Sequence, residues 1–261
     1  MAYLTMYAGD RALATGSSFF WTHGGRTFLV TNWHNVSGYN HLTGELLSPT
    51  GAVPDRLGFR VFMRVSEPDG EGFFELESVE RRIDLFNSSQ SVWLEHPSLG
   101  NRVDVAAVDV SSAVVGSQAT GANEVESDAV IDNVVSQDAF ILGFPFGLIA
   151  NAPVPIWKRG TIALDPSFDA DGLPKTLIDT ATREGMSGSV VVARHITVGR
   201  PFKKKDGTEV TPLYAKHDLV VGIYSGRQYP DLERAQLGIV WKRRVIEEIV
   251  FRADGTSRAA V

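Results

Sequence analysis

One stretch of the sequence decides how the rest is interpreted: Thr182-Arg183-Glu184-Gly185-Met186-Ser187-Gly188-Ser189, followed by Val190-Val191-Val192. It places Ser187 at the tip of a glycine-rich turn that opens into an apolar strand. Such a turn exposes the hydroxyl group and leaves backbone N–H groups free to point at one position, as a nucleophile beside an oxyanion hole requires. Because Gly-x-Ser-Gly also occurs in ordinary turns, the motif needs partners elsewhere in the chain.

The remainder of the chain predicts an all-β protein. Short apolar runs rich in Val, Ile, Phe and Trp recur between Gly, Pro, Asn and Asp residues, a pattern typical of a barrel or sandwich. Only Arg243–Arg252 has helical periodicity, with its apolar residues on one face. The apolar runs are 17–21, 27–31, 58–65, 91–94, 103–108, 139–142, 160–164, 177–179, 190–193, 219–224 and 237–241.

A polar stretch at 111–128 separates two groups of these runs. It predicts two packed β-barrels of similar size within one domain spanning 1–261. The N-terminal barrel is expected at about 1–115, the C-terminal barrel at 116–242 and the helix at 243–252. The tail at 253–261 is expected to fray.

The composition excludes several classes of function. The chain has 261 residues, 43% hydrophobic and 21% charged, which are ordinary values for a globular protein with ample core. A net charge of −6 argues against nucleic acid as a partner. The lack of cysteine excludes disulfides and cysteine-ligated metals. No metal-ligand spacing such as His-Glu-x-x-His occurs, so neither a metal nor an organic cofactor is implied.

The sequence also gives no membrane signal. No window approaches 18 uncharged apolar residues, so no membrane-spanning segment is predicted. The first ten residues lack a basic region followed by a long apolar region, so no signal peptide is predicted. These absences favour a cytoplasmic protein, with secretion after loss of an upstream leader as the alternative.

Two upstream segments supply candidate partners for Ser187. His34 ends an apolar strand, where the scaffold fixes the ring and leaves its other face open, as a general base requires. Asp104 begins an alternating apolar strand, where a carboxylate is costly unless it is hydrogen-bonded or paired. Orienting an imidazole would satisfy it. The structural alternatives are a hydrogen-bonded histidine for His34 and a strand-start cap for Asp104.

The remaining candidates fit these roles less well. Asp109 falls on the opposite face of its strand from Asp104, and Asp84 is flanked by two arginines that indicate surface pairing. The other five histidines lie in turns or polar surroundings or precede a proline. They are His23, His41, His96, His195 and His217.

The chain order His34, Asp104, Ser187 matches that of chymotrypsin-type serine proteases. Thr31-Asn32-Trp33-His34 resembles the strand-end histidine motif of that family. Asp104-Val105-Ala106-Ala107-Val108 and Gly185-Met186-Ser187-Gly188-Ser189 resemble its Asp-Ile-Ala-Leu-Leu and Gly-Asp-Ser-Gly-Gly motifs. The resemblance extends from Thr15 to Phe251. It implies two packed antiparallel six-stranded β-barrels with a C-terminal α-helix.

Within the family, the chain resembles the cysteine-free bacterial branch. Glutamyl endopeptidases share the Gly-x-Ser-Gly-Ser motif and a Val-Ile-Gly-Ile-x-x-Gly pattern, similar here to Val220–Gly226. HtrA-like proteases share segments similar to Ile178-Asp179-Thr180-Ala181 and Gly143-Phe144-Pro145-Phe146-Gly147. Both resemblances imply a serine endopeptidase that acts on polypeptides.

The resemblance also implies the role of each residue. Ser187 attacks a carbonyl, His34 transfers the proton to the leaving group, Asp104 fixes the tautomer of His34, and an acyl-enzyme is hydrolysed by water. The N–H groups of Gly185 and Ser187 form the oxyanion hole. Met186 stands where trypsin-like enzymes carry an aspartate that pairs with a new N-terminus, so no such zymogen activation is expected. The oxyanion loop is then held by packing, or ordered by substrate or an activating partner.

By family spacing, the pocket for the P1 residue is formed by Ala181, Thr182, Tyr224, Ser225 and Gly226. Ala181 replaces the acidic pocket base of trypsin-like enzymes, which disfavours Arg or Lys at P1. Tyr224 replaces the pocket histidine of glutamyl endopeptidases, so a medium apolar P1 residue is expected. The nearby Arg183 and Arg227 leave an acidic preference open.

Two other classes of function compete with this interpretation. One is a catalytically latent binding or scaffold module with the protease fold, activated by a partner; intact Ser, His and Asp argue against it. The other is an α/β-hydrolase esterase. Its elbow requires Gly-x-Ser-x-Gly, whereas the motif here ends in Ser189, and its histidine should follow the serine.

Overall fold

The computed structural model describes residues 1–149, 152–181, 183–228 and 236–254. Within these ranges the chain is mostly β, as predicted, and its long strands fall into two groups. The first nine strands are β1 (Ala2–Ala8), β2 (Arg11–His23), β3 (Arg26–Thr31), β4 (Arg56–Arg64), β5 (Leu76–Asp84), β6 (Phe86–Asn87), β7 (Gln90–Ser91), β8 (Trp93–Leu94) and β9 (Ala106–Asp109).

The N-terminal half is built on a seven-stranded antiparallel sheet in the order β5-β4-β1-β2-β3-β9-β8. The resemblance implied six strands here. The extra strand is β8, whose two residues pair with the outer side of β9. The middle strand β2 is buried on both faces from Gly16 to Trp21. Because alternate side chains point to opposite faces, Phe19 packs into the core shared with the other half and Phe20 into the sheet's own core.

The C-terminal half contains a closed six-stranded barrel, as expected. Its strands run in the order β11-β12-β13-β18-β17-β14, and β10, β15 and β16 form a small separate sheet. The bounds are β10 (Ala129–Val130), β11 (Asp138–Gly143), β12 (Ile156–Ile162), β13 (Lys175–Asp179), β14 (Val190–Thr197), β15 (Phe202–Lys204), β16 (Glu209–Val210), β17 (Ala215–Arg227) and β18 (Leu237–Lys242).

The described part of the chain also contains three α-helices: α1 (Trp33–Ser37), α2 (Ala122–Val125) and α3 (Arg243–Phe251). The predicted C-terminal helix is confirmed as α3, and its apolar face packs into the core that joins both halves. Glu126, just after α2, accepts two 2.6 Å hydrogen bonds from Arg243 and so fastens the connecting segment to α3. No helix in the described ranges is long and apolar enough to cross a membrane.

Candidate active site

His34 and Asp104 lie side by side where β3 passes into α1. His34 Nδ1 is 2.8 Å from Asp104 Oδ2, and the backbone N–H of His34 donates to Asp104 Oδ1 at 2.9 Å. The Asn32 side-chain amide donates to the backbone carbonyl of Asp104 at 2.7 Å. Asp104 is fully buried, whereas the side chain of His34 is 19% exposed. These contacts fix the imidazole by its Nδ1 edge and leave Nε2 available for proton transfer.

The buried pair shifts the pKa values of both groups. Burial by itself lowers the pKa of His34, but the charge of Asp104 and the hydrogen bond outweigh it, so the net pKa is raised above 6.5. Burial by itself raises the pKa of Asp104. The charge and hydrogen bond of His34, with smaller contributions from His41 and Ser225, hold that pKa below 3.8. Asp104 is therefore ionised at neutral pH.

Two further side chains reach Asp104, and sequence reasoning did not foresee either contact. Ser225, predicted as a pocket wall, donates its hydroxyl to Asp104 Oδ2 at 2.5 Å. His41 Nδ1 lies 3.7 Å from the same oxygen, with its ring edge toward Trp241. The sequence placed His41 in polar surroundings because its neighbours are typical of a loop, yet its side chain is only 13% exposed. Burial lowers the pKa of His41, so its ring is neutral at neutral pH.

Ser187 lies in the turn that precedes β14. Gly185 and Gly188 adopt φ values of 85° and 88°, which favour glycine. A Cβ on Gly188 would overlap the carbonyl oxygen of Ser17. The backbone carbonyl of Ser187 accepts a 2.9 Å hydrogen bond from the N–H of Ser17. The turn is thus pressed against β2, and only glycine fits its closest approach.

The peptide planes of this turn are fixed by two hydrogen bonds. The carbonyl of Glu184 accepts from Phe146 N–H at 2.7 Å, and that of Met186 accepts from Ser189 N–H at 3.0 Å. Since a trans peptide points its N–H opposite to its C=O, the amides of Gly185 and Ser187 point away from these donors. Among hydrogen bonds within the described residues, neither amide donates one.

A cavity of about 250 Å³ borders His34, Gly185 and Ser187. It brings the predicted nucleophile, base and oxyanion donor to one surface. The rest of its lining is mixed: the apolar residues include Met6, Leu13, Leu47, Pro49 and Pro54, and the polar residues are Thr15, Asn35 and Ser48. Except for His34, no titratable side chain of the described residues lines it.

The residues predicted for the P1 pocket are placed separately from this cavity. Tyr224 is 2% exposed and packs in the core of the C-terminal barrel. The carbonyl of Ala181 accepts a hydrogen bond from Lys158 Nζ. Gly226 has a φ of 130° and open space where a Cβ would be. Thr182 lies outside the described residues.

Residues that bind a metal are not brought together in the described part of the chain. There, no group of three or more His, Asp or Glu side chains has an arrangement that could hold a metal ion.

Comparison with known proteins finds similarity only at the level of structure. No protein-family model matches the chain, and no curated protein matches it. The active form of the Rv3671c protease of M. tuberculosis is 13% identical, with 99% of this chain and 82% of that chain covered and a TM-score of 0.47. An inactive form of the same protease is 14% identical, covering 96% and 87%, with a TM-score of 0.46.

A second similar protein is the scabies mite inactivated protease paralogue S-I1. It is 12% identical, with 96% of this chain and 93% of that chain covered and a TM-score of 0.47. The finer resemblance to glutamyl endopeptidases and HtrA proteases stays a prediction. The architecture described above, a seven-stranded sheet and a closed six-stranded barrel, rests on the strand order of this chain itself.

Proposed function

We propose that the protein is a serine endopeptidase. The observation that carries the proposal is the 2.8 Å contact between His34 Nδ1 and a buried, ionised Asp104, beside a cavity that Ser187 and His34 line together. A carboxylate in this position holds the imidazole in the tautomer whose Nε2 accepts a proton, and stabilises the imidazolium that forms. Ser187 is the nucleophile, His34 the general base and acid, and Asp104 the residue that orients His34.

The oxyanion hole is assigned to the amides of Gly185 and Ser187. The assignment is supported by the peptides to which they belong: the carbonyls are hydrogen-bonded on one side, and neither N–H group donates a hydrogen bond within the described residues. Negative charge that develops on the carbonyl oxygen in the transition state is then stabilised by donors already in place. The cycle is attack by Ser187 Oγ, expulsion of the amine protonated by His34, and hydrolysis of the acyl-enzyme by water.

A polypeptide substrate is supported by where the cavity lies. It extends from Ser187 toward β1, β2 and the loop at 47–54, which provides room for residues beyond the bond that is cut. The P1 pocket is assigned to the other side of Ser187, near Ser225 and Gly226, with a medium apolar P1 preference.

The test is active-site labelling of the purified protein with a fluorophosphonate probe. We expect the wild type to be labelled, Ser187→Ala to be unlabelled, and His34→Ala and Asp104→Asn to be labelled far more slowly. Ser189→Ala is the matched control, because this buried serine lies in the same turn and has no hydrogen-bond partner for its hydroxyl. A folded wild type that is not labelled would contradict the proposal and favour a latent binding module.

A further inference from the structure

Ser17 lies in the middle of β2. Its N–H, carbonyl and hydroxyl groups all form hydrogen bonds with the turn that carries Ser187 or with residues that contact this turn. Its side chain is fully buried. Its N–H donates to the carbonyl of Ser187 at 2.9 Å, and its hydroxyl donates to the carbonyl of Gly185 at 2.8 Å. The same hydroxyl accepts from Phe144 N–H at 3.0 Å, and the carbonyl of Ser17 accepts from Thr31 Oγ1 at 2.9 Å.

With these bonds, each backbone carbonyl from Glu184 to Ser187 accepts a hydrogen bond. The carbonyls of Glu184 and Met186 are held by backbone amides, and those of Gly185 and Ser187 are held by Ser17. Four successive carbonyls are therefore bonded, and every peptide between Glu184 and Gly188 has its plane set. Because the amides of Gly185 and Ser187 belong to two of these peptides, their directions depend on the bonds that Ser17 makes next to them.

None of the hydrogen-bond donors named above carries a charge. Met186 is fully buried in the core of the C-terminal barrel. The hydrogen-bond donors are a serine hydroxyl and backbone amides, none of which titrates in the ordinary pH range. The four hydrogen bonds to the carbonyls of the turn are therefore not expected to change with pH in that range.

We propose that Ser17 is the positioning residue of the oxyanion hole, and that its hydroxyl relays a hydrogen bond from Phe144 N–H to the carbonyl of Gly185. Its effect on rate rests on the proposed function. Loss of the hydroxyl leaves the Gly185 carbonyl without its donor and Phe144 N–H without its acceptor, and the peptide that joins Gly185 to Met186 turns to find new partners. This peptide lies between the two that carry the N–H groups of Gly185 and Ser187, so its rotation changes the directions of both oxyanion donors.

The test compares Ser17→Ala with Ser18→Ala. The two serines are adjacent and fully buried, and Ser18 Oγ also donates to one backbone carbonyl, that of Ala2, at 3.0 Å. Ser17→Ala loses two hydrogen bonds of a buried hydroxyl and Ser18→Ala loses one, so the midpoint of thermal unfolding should fall in both variants and further in Ser17→Ala. Only Ser17→Ala should lose kcat, by about tenfold or more with little change in KM, since removal of one oxyanion donor costs roughly 10²–10³ in a related hydrolase.

A second measurement does not require turnover. The backbone amide resonances of Gly185 and Ser187 in ¹⁵N-labelled protein should shift in Ser17→Ala and stay in place in Ser18→Ala. Ser17→Cys, which keeps a weak donor at the same atom, should give an intermediate kcat. Unchanged Gly185 and Ser187 resonances in Ser17→Ala, or equal kcat values for Ser17→Ala and Ser18→Ala, would overturn the proposal. If the wild type has no activity, the proposed function fails and the resonances alone decide the role of Ser17.

Discussion

The buried carboxylate of Asp104 contacts the ring of His34, the hydroxyl of Ser225 and the ring of His41. Its effect on His34 can be measured as a shift in the pKa of that histidine. The charge of Asp104 raises that pKa above 6.5. Activity should therefore be lost as the pH falls through a value above 6.5, because a protonated His34 cannot accept the proton of Ser187. The measurement is kcat/KM across pH 5–9, with an NMR titration of the His34 ring.

Asp104→Asn separates the effect of burial on the pKa of His34 from the effect of the Asp104 charge. Burial remains while the carboxylate charge is removed, so the pKa of His34 should fall below its wild-type value. The same change lowers kcat by about 10⁴ in a well-characterised serine protease, because the histidine is then held in the wrong tautomer. A wild-type acid limb at or below pH 6.5, or a variant whose His34 titrates as in the wild type, would contradict the assignment of Asp104 as the source of the shift.

His41 offers a way to change the field at Asp104 without touching His34. Its ring is neutral at neutral pH and lies 3.7 Å from Asp104 Oδ2, with Lys175 as a further nearby cation. His41→Lys puts a permanent charge there, which disfavours the imidazolium of His34 and should lower its pKa. Leu42→Lys adds the same charge on a side chain that is 73% exposed and is the control. NMR titration of His34 should show a shift only in His41→Lys; equal shifts would mean that the contact is unimportant.

At the scale of elements, Gly38 determines how the chain leaves α1. It ends the helix with a φ of 77°, and a Cβ there would lie 2.6 Å from Pro54 Cδ. Gly25 has a φ of 75° but no atom within 4 Å of the added Cβ. Gly25→Ala should therefore lower the free energy of unfolding by about 1–2 kcal/mol, the cost of a left-handed conformation for a residue with a Cβ. Gly38→Ala should lower it further because its Cβ also clashes with Pro54. Denaturant unfolding measures both free energies, and equal losses would show that Pro54 moves aside freely.

The elements also show what sequence reasoning can reach. Most of the long strands and α3 repeat their apolar residues often enough to be predicted, but β1 and β5 were missed, and α1 and α2 have five and four residues and give no period. The two-residue strand β8 falls within the predicted apolar run 91–94, and the expectation of six strands in the N-terminal half came from the family resemblance. His34, Asp104 and Ser187 were found through family motifs. Ser17 and His41 were missed because their partners are distant in sequence and their neighbours form no motif.

At the scale of the whole molecule, the two halves meet at the cavity beside Ser187. Met6, Leu47 and Pro54 come from the N-terminal half, and Gly185 comes from the C-terminal half. Ser225 and Gly226, assigned to the P1 side, do not line it. In the proposed mechanism, a bound peptide would have its acyl part on one side of Ser187 and its leaving group, protonated by His34, on the other. The cavity is therefore expected to take a side chain that follows the scissile bond.

Because apolar side chains supply the larger part of the lining of this cavity, and no carboxylate-pairing Lys or Arg of the described residues lines it, the residue that enters it should be apolar. Peptides with Leu after the scissile bond should be cleaved with a kcat/KM at least about tenfold above those with Asp, since a carboxylate buried without a partner is costly. Leu47→Lys should lower the ratio of kcat/KM for Leu peptides to kcat/KM for Asp peptides, because the new ammonium group can pair with the aspartate. Leu213→Lys, on a side chain that is 89% exposed and outside the cavity, should leave this ratio unchanged. Testing the first and second positions after the bond identifies which residue enters. Equal cleavage of Leu and Asp peptides at both positions would mean that leaving-group side chains do not occupy the cavity.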